Sequence, residues 1–435
     1  MSPLLAGTIA LLLMVLMCLA GVPIFVSLGS VGILGLMIVS GFDRTLGIIS
    51  SLPFTIFASY SLAIVPLFFL MGDIASLGGV ATEGYKAAYK LFGRTRGGLA
   101  MATTVGSGLS AACMGSSAAN AALFSRIALP EMLKLGYNKS FSLGCIASVG
   151  TFAVMIPPSL GFVLYGIVTQ ESIGKLLMAG VFPGILTVGV YLVGILLMCR
   201  LNPKLAPISE IKYTTREKLK AMLGLWGILL LFLLVMGGIY AGLFTPSAGA
   251  AVGASGAFVI ALSRRKLTLP ALINLGIDTM RAISSFSVIL LGGFLLARFL
   301  VISGFTEALV ALVSTGLSKG AVLMGIVLMY LILGCLMDPV SMLITTIPFI
   351  YPLIISLGFD GIWFGVIFTK LSEVGVLTPP VGMNLFVVAA AAGKGTTVMD
   401  VIKGVGPFLI MEAVVLVILI LFPGISLYLP AKMYR

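Results

Sequence analysis

Two proline pairs in apolar surroundings constrain the fold of this chain more than any other feature. Pro157-Pro158 and Pro379-Pro380 each interrupt a long apolar stretch, and they stand 222 residues apart in a chain of 435. Because proline lacks an amide hydrogen and clashes with the preceding helical turn, a proline pair breaks a helix. Within hydrocarbon the freed backbone groups need partners, so a broken helix lies against protein or a wet cavity. The sequence therefore predicts two interrupted helices at equivalent places in two halves.

The composition is that of a polytopic all-α membrane protein. Hydrophobic residues make up 60% of the chain and charged residues 9%, whereas soluble domains carry about 25% charged residues. The net charge of +12 comes from basic residues scattered through short loops, which fits the positive-inside rule and argues against nucleic-acid binding. The sequence contains no histidine, which excludes histidine-based catalysis and histidine-ligated metals.

The two halves share further landmarks at the same spacing. The matching pairs are Ala20-Gly21 with Ala241-Gly242, Pro130 with Pro352, and the polar waist Ser116-Ser117 with Asp338-Pro339. Together with the proline pairs, these landmarks keep one order at offsets of 221 or 222 residues, which indicates an internal duplication. Interrupted membrane helices at matching places of two such halves point to a transporter binding site.

The duplication divides the chain into two repeats joined by a linker. We predict a first repeat over residues 1–205, a linker over 206–220 and a second repeat over 221–435. Each repeat has a hairpin that enters and leaves the membrane on one side, at about 98–134 and 320–356, and a broken helix, at about 140–168 and 362–391. The other expected crossings are about 4–20, 22–40, 61–80 and 175–199, then 222–242, 245–263, 286–303 and 405–428.

The number of crossings predicts how the repeats are oriented. Five crossings per repeat is an odd number, so the second repeat is inverted in the membrane relative to the first. If both termini lie outside, most of the 26 Lys and Arg residues fall on the cytoplasmic side together with the linker. The positive-inside rule favours this arrangement, in which the two hairpins enter from opposite faces.

Several ionisable residues lie at apparent membrane depth, where each must face a cavity or a partner. Asp338, at the tip of the second hairpin, is predicted to belong to a site. Lys370 and Glu373 stand three residues apart on one helix and can pair with each other. For Arg298 two interpretations stay open: its side chain either snorkels to the interface or forks onto a substrate carboxylate. The unwound carbonyls of the broken helices suit Na⁺, a hard cation that prefers oxygen ligands.

These motifs resemble those of a known family. The hairpin tips Gly115-Ser116-Ser117 and Met337-Asp338-Pro339, the break Ile156-Pro157-Pro158-Ser159 and the long motif from Gly375 to Phe386 are similar to the large membrane subunit of tripartite ATP-independent periplasmic (TRAP) transporters. The resemblance covers essentially the whole chain. It implies an elevator mechanism driven by a Na⁺ gradient, in which a transport domain carrying both hairpins moves against a scaffold.

The resemblance also implies which residues form the sites. One Na⁺ site maps to Met114 and Ser117 with the carbonyls of Ala153, Ile156 and Pro158. Many relatives have serine where this chain has Met114, so at this position the ligand is either a backbone oxygen or lost. The second Na⁺ site maps to Gly334, Gly375, Thr378 and Val381, and the substrate-binding residues map to Ser116, Ser159, Arg298 and Asp338.

The function implied is import of small organic acids, such as C4-dicarboxylates or sialic acid, across the bacterial inner membrane. The implied partners are a small four-helix membrane subunit, a periplasmic substrate-binding protein and the lipid bilayer, without nucleic acid. An alternative is a stand-alone carrier coupled to Na⁺ or H⁺ that works without a binding protein. An intramembrane enzyme is disfavoured, because the sequence offers neither histidine nor a metal-binding box.

Overall fold

The structure is a computed structural model that describes residues 2–93, 95–207, 213–316 and 318–433. Every regular element within these ranges is a helix. The first half contains α1 (Pro3–Leu19), α2 (Ile24–Ser40), α3 (Phe42–Phe57), α4 (Ile64–Leu77), α5 (Val80–Phe92), α6 (Gly98–Met114), α7 (Ser117–Ile127), α8 (Leu129–Lys134), α9 (Lys139–Gly150), α10 (Phe152–Met155), α11 (Leu160–Thr169), α12 (Ile173–Ala179) and α13 (Val181–Leu201).

The second half follows the same order. It contains α14 (Thr215–Leu223), α15 (Trp226–Phe232), α16 (Gly238–Tyr240), α17 (Pro246–Ser263), α18 (Leu269–Ile302), α19 (Phe305–Gly316), α20 (Lys319–Gly334), α21 (Pro339–Ser356), α22 (Gly361–Leu377), α23 (Met383–Ala392), α24 (Val398–Leu421) and α25 (Gly424–Lys432). A 3₁₀ turn, Tyr60–Ala63, precedes α4, and a π-helical turn, Leu233–Gly237, joins α15 to α16.

Two helical hairpins lie within the ranges that the sequence predicts for them. In the first, α6 ends at Met114, Gly115 adopts a positive φ of 61°, and α7 returns. A hydrogen bond of 2.9 Å from Ser110 to Asn120 joins its arms. In the second, α20 and α21 are connected by residues 335–338, and the hydroxyls of Tyr330 and Thr346 lie 2.8 Å apart between the arms.

Both proline pairs interrupt helices where the sequence predicts breaks. The axis changes direction by 42° between residues 139–155 and α11, and the extended residues Ile156 and Ser159 flank the first pair. In the second half, α22 ends at Leu377 and α23 begins at Met383, on either side of the second pair. Both Pro–Pro bonds are cis. The breaks divide each long helix into two parts with free backbone groups at the facing ends.

Helices of each half pack against helices of the other half. α2 packs against α18, and α17, the equivalent of α2 in the second half, packs against α4. Similarly, α11 packs against α21, whereas its equivalent α23 packs against α7. Each half therefore buries its apolar faces largely against the other half, and the two halves form one interlocked body.

The apolar helices agree with a polytopic membrane protein. Among the described residues, six helices are long and apolar enough to cross a membrane, and the number rises to eight if each of two bent pairs forms one span. One of the six, Pro339–Ser356, is the second arm of the second hairpin. Apolar helices of 17 residues, Pro3–Leu19 and Ile24–Ser40, correspond to the first two expected crossings.

Two elements differ from the sequence-based expectation. The crossing expected at about 286–303 is the second half of one continuous helix of 34 residues, α18, which starts after the N-cap Thr268. Its polar residues lower the local hydropathy without breaking the helix, and one of them, Thr279, donates a 2.6 Å hydrogen bond to Asp73. The second element is α14, which begins at Thr215 inside the expected linker 206–220. Residues 208–212 of that linker lie outside the described residues.

The seam between α2 and α18 yields a test of this packing. A Cβ atom on Gly32 would lie 2.6 Å from the backbone nitrogen of Leu296, whereas on Gly29 its nearest neighbour would be 3.7 Å away. We expect Gly32→Ala to destabilise the protein by about 1–3 kcal/mol, because helix backbone cannot yield as a side chain can. Gly29→Ala is the matched control and should be neutral or stabilising by up to about 1 kcal/mol. Thermal unfolding in detergent measures both, and equal midpoints would contradict the close contact.

Candidate functional site

The two hairpin tips and the two broken helices meet at a central cavity of about 260 Å³. Its polar lining comes from Ser116 and Ser117 of the first tip, Asp338 of the second tip, and Thr369 and Ser372 of α22. The remaining lining is apolar or glycine: Phe69, Gly115, Val154, Leu160, Gly161, Leu164, Pro339, Val340, Leu343, Phe368 and Met383. The cavity thus joins residues of both halves that are far apart in sequence.

Four helices begin at this cavity. Ser117, Leu160, Pro339 and Met383 all line it, and they are the first residues of α7, α11, α21 and α23. The first backbone N–H groups of a helix have no partner within the helix, and its N-terminus carries a partial positive charge. Four such ends around one small volume make a site that favours a negatively charged group.

The first tip is held against the first broken helix by a buried polar network. Asn120 donates hydrogen bonds to the Ser107 hydroxyl at 2.9 Å and to the Gly150 carbonyl at 3.4 Å. Ser107 in turn donates to the Val149 carbonyl at 2.6 Å. At the tip itself, the Ser116 hydroxyl caps α7 by accepting from the amide of Ala119 at 3.4 Å. These bonds fix the orientation of the tip before any ligand binds.

Asp338 caps the helix that starts at the second tip. Its carboxylate accepts hydrogen bonds from the backbone amide of Ser341, at 3.1 Å to Oδ2, and from the Ser341 hydroxyl, at 2.6 Å to Oδ1. The sequence predicts a site role for Asp338, and the structure adds a capping role that the sequence analysis did not include. The Asp338 carboxylate thus caps the start of α21 and also lines the cavity.

The residues predicted for the first Na⁺ site belong to the first hairpin tip and to the first broken helix. Met114 ends α6 and Ser117 starts α7, whereas Ala153 belongs to α10 and Ile156 and Pro158 to the unwound segment. The tip and the break meet, because a Cβ on Gly115 would lie 3.4 Å from the Leu160 side chain. Ser159, predicted for the substrate, is buried beside this break and donates its hydroxyl hydrogen to the Val154 carbonyl.

The residues predicted for the second Na⁺ site surround the second break. Gly334 and Gly375 touch, since a Cβ on either glycine would lie 2.5 Å from the Cα of the other. Thr378 is the C-cap of α22 and donates its hydroxyl hydrogen to the Val374 carbonyl at 2.7 Å. Val381 follows the proline pair, and 42% of its side chain is exposed. The first three residues thus cluster where the second hairpin meets the second broken helix, and Val381 lies at the edge of that cluster.

Arg298 is not brought to the cavity. Its side chain is exposed on α18, whereas the buried face of that helix carries Leu295, Leu296, Phe299 and Leu300. The rotational position of Arg298 on the helix, which hydropathy does not fix, places it among the exposed residues of α18. Arg298 is not among the residues that line this cavity, and its exposure agrees with the snorkelling interpretation. Its role in substrate binding stays a prediction.

A buried ionic cluster fastens the second broken helix. Lys370 donates to Glu373 at 2.7 Å, as the spacing predicts, and also contacts Glu412 of α24. Tyr191 of α13 donates to Glu412 at 2.5 Å. The contact with Glu412 could not be predicted from the sequence, because no local spacing relates this residue to Lys370. The cluster joins α22, α24 and α13, with Lys370, Glu373 and Glu412 fully buried.

Two polar residues of the cavity were not predicted from the sequence. Thr369 and Ser372 line the cavity from α22, three residues apart on one helical face. They neighbour Lys370 and Glu373 in sequence. The sequence signal that could have identified them is their spacing: two small hydroxyl residues three positions apart lie on one face of the helix that precedes the second break.

Comparisons with known proteins agree with this architecture. A protein-family model described as "Tripartite ATP-independent periplasmic transporter, DctM component" matches residues 11–425. The C4-dicarboxylate TRAP transporter large permease protein DctM of Pseudomonas aeruginosa is 35% identical over 85% of this chain and 86% of its own. The protein of the same name from Vibrio cholerae is 32% identical over 98% of this chain and 97% of its own. The isethionate TRAP transporter permease protein DctMQ of Oleidesulfovibrio alaskensis is 29% identical over 98% of this chain and 66% of its own.

The two roles of Asp338 can be separated by substitution. Asp338→Asn keeps a side-chain oxygen that accepts from the Ser341 amide, so we expect the thermal unfolding midpoint to stay close to that of the parent protein. Asp338→Ala removes the cap and should cost about 0.5–2 kcal/mol. Thermal unfolding of both purified variants in one detergent measures the difference. An alanine variant as stable as the parent would show that the cap does not contribute.

Proposed function

Since this chain belongs to the DctM component family of tripartite ATP-independent periplasmic transporters, we propose that it is the transport subunit of a Na⁺-coupled importer of small carboxylates. The family is one of membrane permease subunits and not of enzymes. The observation that carries the proposal is the convergence of four helix N-termini on one cavity. A negatively charged substrate is what such a site favours electrostatically.

The cavity sets limits on the substrate. At about 260 Å³, its volume suits a molecule of a few carbon atoms, such as a C4-dicarboxylate, better than a sugar acid as large as sialic acid, unless the site opens further. The amides at the starts of α11 and α23, which have no side-chain cap, would receive the carboxylate. Ser116 would donate from the first tip, and Ser159 would act from beside the first break. Asp338 would face a donor group of the substrate or the coupling cation, because its negative charge repels a carboxylate.

Na⁺ would bind beside the substrate, where helices end and not where they begin. α6 and α22 terminate at the tip and the break with Met114 and Leu377, and helix C-termini and unwound carbonyls favour cations. The first ion would be held by the Ser117 hydroxyl with carbonyls of Met114, Ala153, Ile156 and Pro158. A thioether is a poor ligand for a hard cation, so Met114 would act through its carbonyl. The second ion would be held around Gly334, Gly375, Thr378 and Val381.

Movement would follow the elevator scheme. The two hairpins and two broken helices would form the moving body, and α1–α4 with α15–α18 would form the scaffold. We propose that the two repeats are inverted relative to each other, with both termini in the periplasm and the linker in the cytoplasm. The exchanged packing of α2 with α18 and of α17 with α4 supports a symmetric scaffold built from both repeats.

The complete transporter would need two partners in the bacterial inner membrane and periplasm. A small four-helix membrane subunit would pair with the scaffold, and a periplasmic binding protein would deliver the substrate. The binding protein would carry most of the substrate selection, since the cavity wall itself is mainly apolar.

Uptake by reconstituted protein tests the proposal. Proteoliposomes that contain this chain and the small subunit should accumulate labelled succinate only when an inward Na⁺ gradient and the loaded binding protein are both present. Replacement of Na⁺ by K⁺ is the control for the ion. Uptake that persists without the binding protein would support a stand-alone carrier instead, and uptake unaffected by Na⁺ would contradict the coupling.

Substitution of Ser117 tests the first Na⁺ site. Hydrogen-bonding and ligand contacts to a charged group contribute about 1.5–3 kcal/mol, so Ser117→Ala should raise the Na⁺ concentration for half-maximal uptake by about tenfold or more. The matched control is Ser255→Ala on α17, whose exposed hydroxyl only bonds to the Ala251 carbonyl of its own helix. An unchanged Na⁺ dependence in Ser117→Ala would remove this residue from the site.

A further inference from the structure

A second cavity lies on the other side of the first break. It has a volume of about 330 Å³ and lies between α6, α13 and α15, with Ile156 and Pro157 of the unwound segment at its base. All of its lining residues are apolar or glycine, from Val105 on α6 to Phe232 on α15. No lining residue can hydrogen bond through its side chain, so this groove suits a hydrocarbon occupant and not a polar ligand.

Two glycines keep the groove open. A Cβ on Gly108 would lie 3.2 Å from Val188, and on Gly184 it would lie 2.9 Å from Ile156. The rim is formed by Ile185 of α13 and Leu229 of α15, which are 63% and 48% exposed. α13 belongs to a span that is long and apolar enough to cross a membrane, and α15 passes the same test together with α14 as a pair bent by 42°. The exposed rim residues on these two apolar helices therefore turn the groove sideways towards the acyl chains of the bilayer.

The end of the groove adjoins a basic amphipathic helix. Only two residues, Gly224 and Leu225, separate α14 from Trp226, the half-exposed start of α15. α14 carries Arg216, Lys218 and Lys220 together with the exposed apolar side chains of Leu219, Met222 and Leu223. An exposed tryptophan beside a basic amphipathic helix is typical of the level of lipid headgroups, and lysine and arginine there attract anionic lipids.

We propose that the groove binds one acyl chain of an anionic phospholipid whose headgroup rests on the basic residues of α14. The chain passes over Leu229 and reaches the back of the segment 156–159. The negative headgroup pairs with Lys218 and Lys220. Trp226 lies at the boundary between the headgroup and the acyl chain. Within hydrocarbon the chain is held by van der Waals packing against the groove and not by a hydrophobic gain, and the headgroup contacts select negative charge. This inference does not depend on the transported substrate or on Na⁺ coupling.

Native mass spectrometry of the detergent-purified full-length protein tests the proposal. We expect the parent protein to retain one phosphatidylglycerol molecule at concentrations where phosphatidylcholine is at least tenfold less retained. Leu229→Trp fills the mouth of the groove and should reduce retained phosphatidylglycerol at least tenfold. Its matched control is Leu230→Trp, because Leu230 is equally exposed at 48% on the same helix but does not line the groove.

The headgroup contact has a separate control. The double variant Lys218→Gln/Lys220→Gln should lose the preference for phosphatidylglycerol, whereas Lys394→Gln/Lys403→Gln removes two exposed charges elsewhere and should keep it. Equal retention of both lipids by the parent protein would overturn the proposal, and so would full retention by Leu229→Trp. If Leu229→Trp does not fold, the lysine variants still decide, because unchanged selectivity in Lys218→Gln/Lys220→Gln overturns the headgroup assignment.

Discussion

The need to satisfy backbone groups away from water governs this structure. The chain breaks two helices in its interior and reverses two hairpins there, so eight helix ends lie where water is scarce. Those that begin at the central cavity present amides, and those that end at the tips and breaks present carbonyls. The starts line one cavity of about 260 Å³, and the ends lie at the same tips and breaks beside it. The tips and breaks thus present partial charges of both signs with few charged side chains, in a chain that has only 9% charged residues.

The hairpin tips and helix breaks need packed neighbours to hold their irregular backbone in place. In each half these neighbours come from the other half. α7 packs on α23 and α21 on α11, so each hairpin arm that begins at the cavity is held by the broken helix of the opposite half. The cluster of Lys370, Glu373, Glu412 and Tyr191 then ties α22 to α24 and α13. A buried ion pair contributes little net stability, but removal of one partner is costly. The cluster therefore specifies one position of α22 and does not simply strengthen the fold.

The sequence predicted those structural features that depend on neighbouring residues in the chain. Both breaks and both tips fall at the predicted residues, because proline pairs and Gly115 impose backbone geometry wherever they occur. The partner of Lys370 on α24 and the outward direction of Arg298 could not be predicted, since both depend on the rotation of one helix against another. The length of α18 was underestimated for a related reason: hydropathy falls where Asp278 and Arg281 occur, yet helix propensity does not. Convergence of four helix N-termini required the tertiary structure.

The segment 156–159 separates two different environments. Val154 and Leu160, which lie beside this segment, line the central cavity, whereas Ile156 and Pro157 line the apolar groove. An occupant of the groove would hold the segment from behind and so restrict the positions available to the carbonyls proposed for the first Na⁺ site. Coupling between two sites is reciprocal. Suppose that an acyl chain in the groove and an ion at the first Na⁺ site both favour the same position of segment 156–159. The lipid then raises the affinity for the ion by some factor, and the ion raises the affinity for the lipid by that same factor. The first break would then be the point where the bilayer influences ion affinity directly.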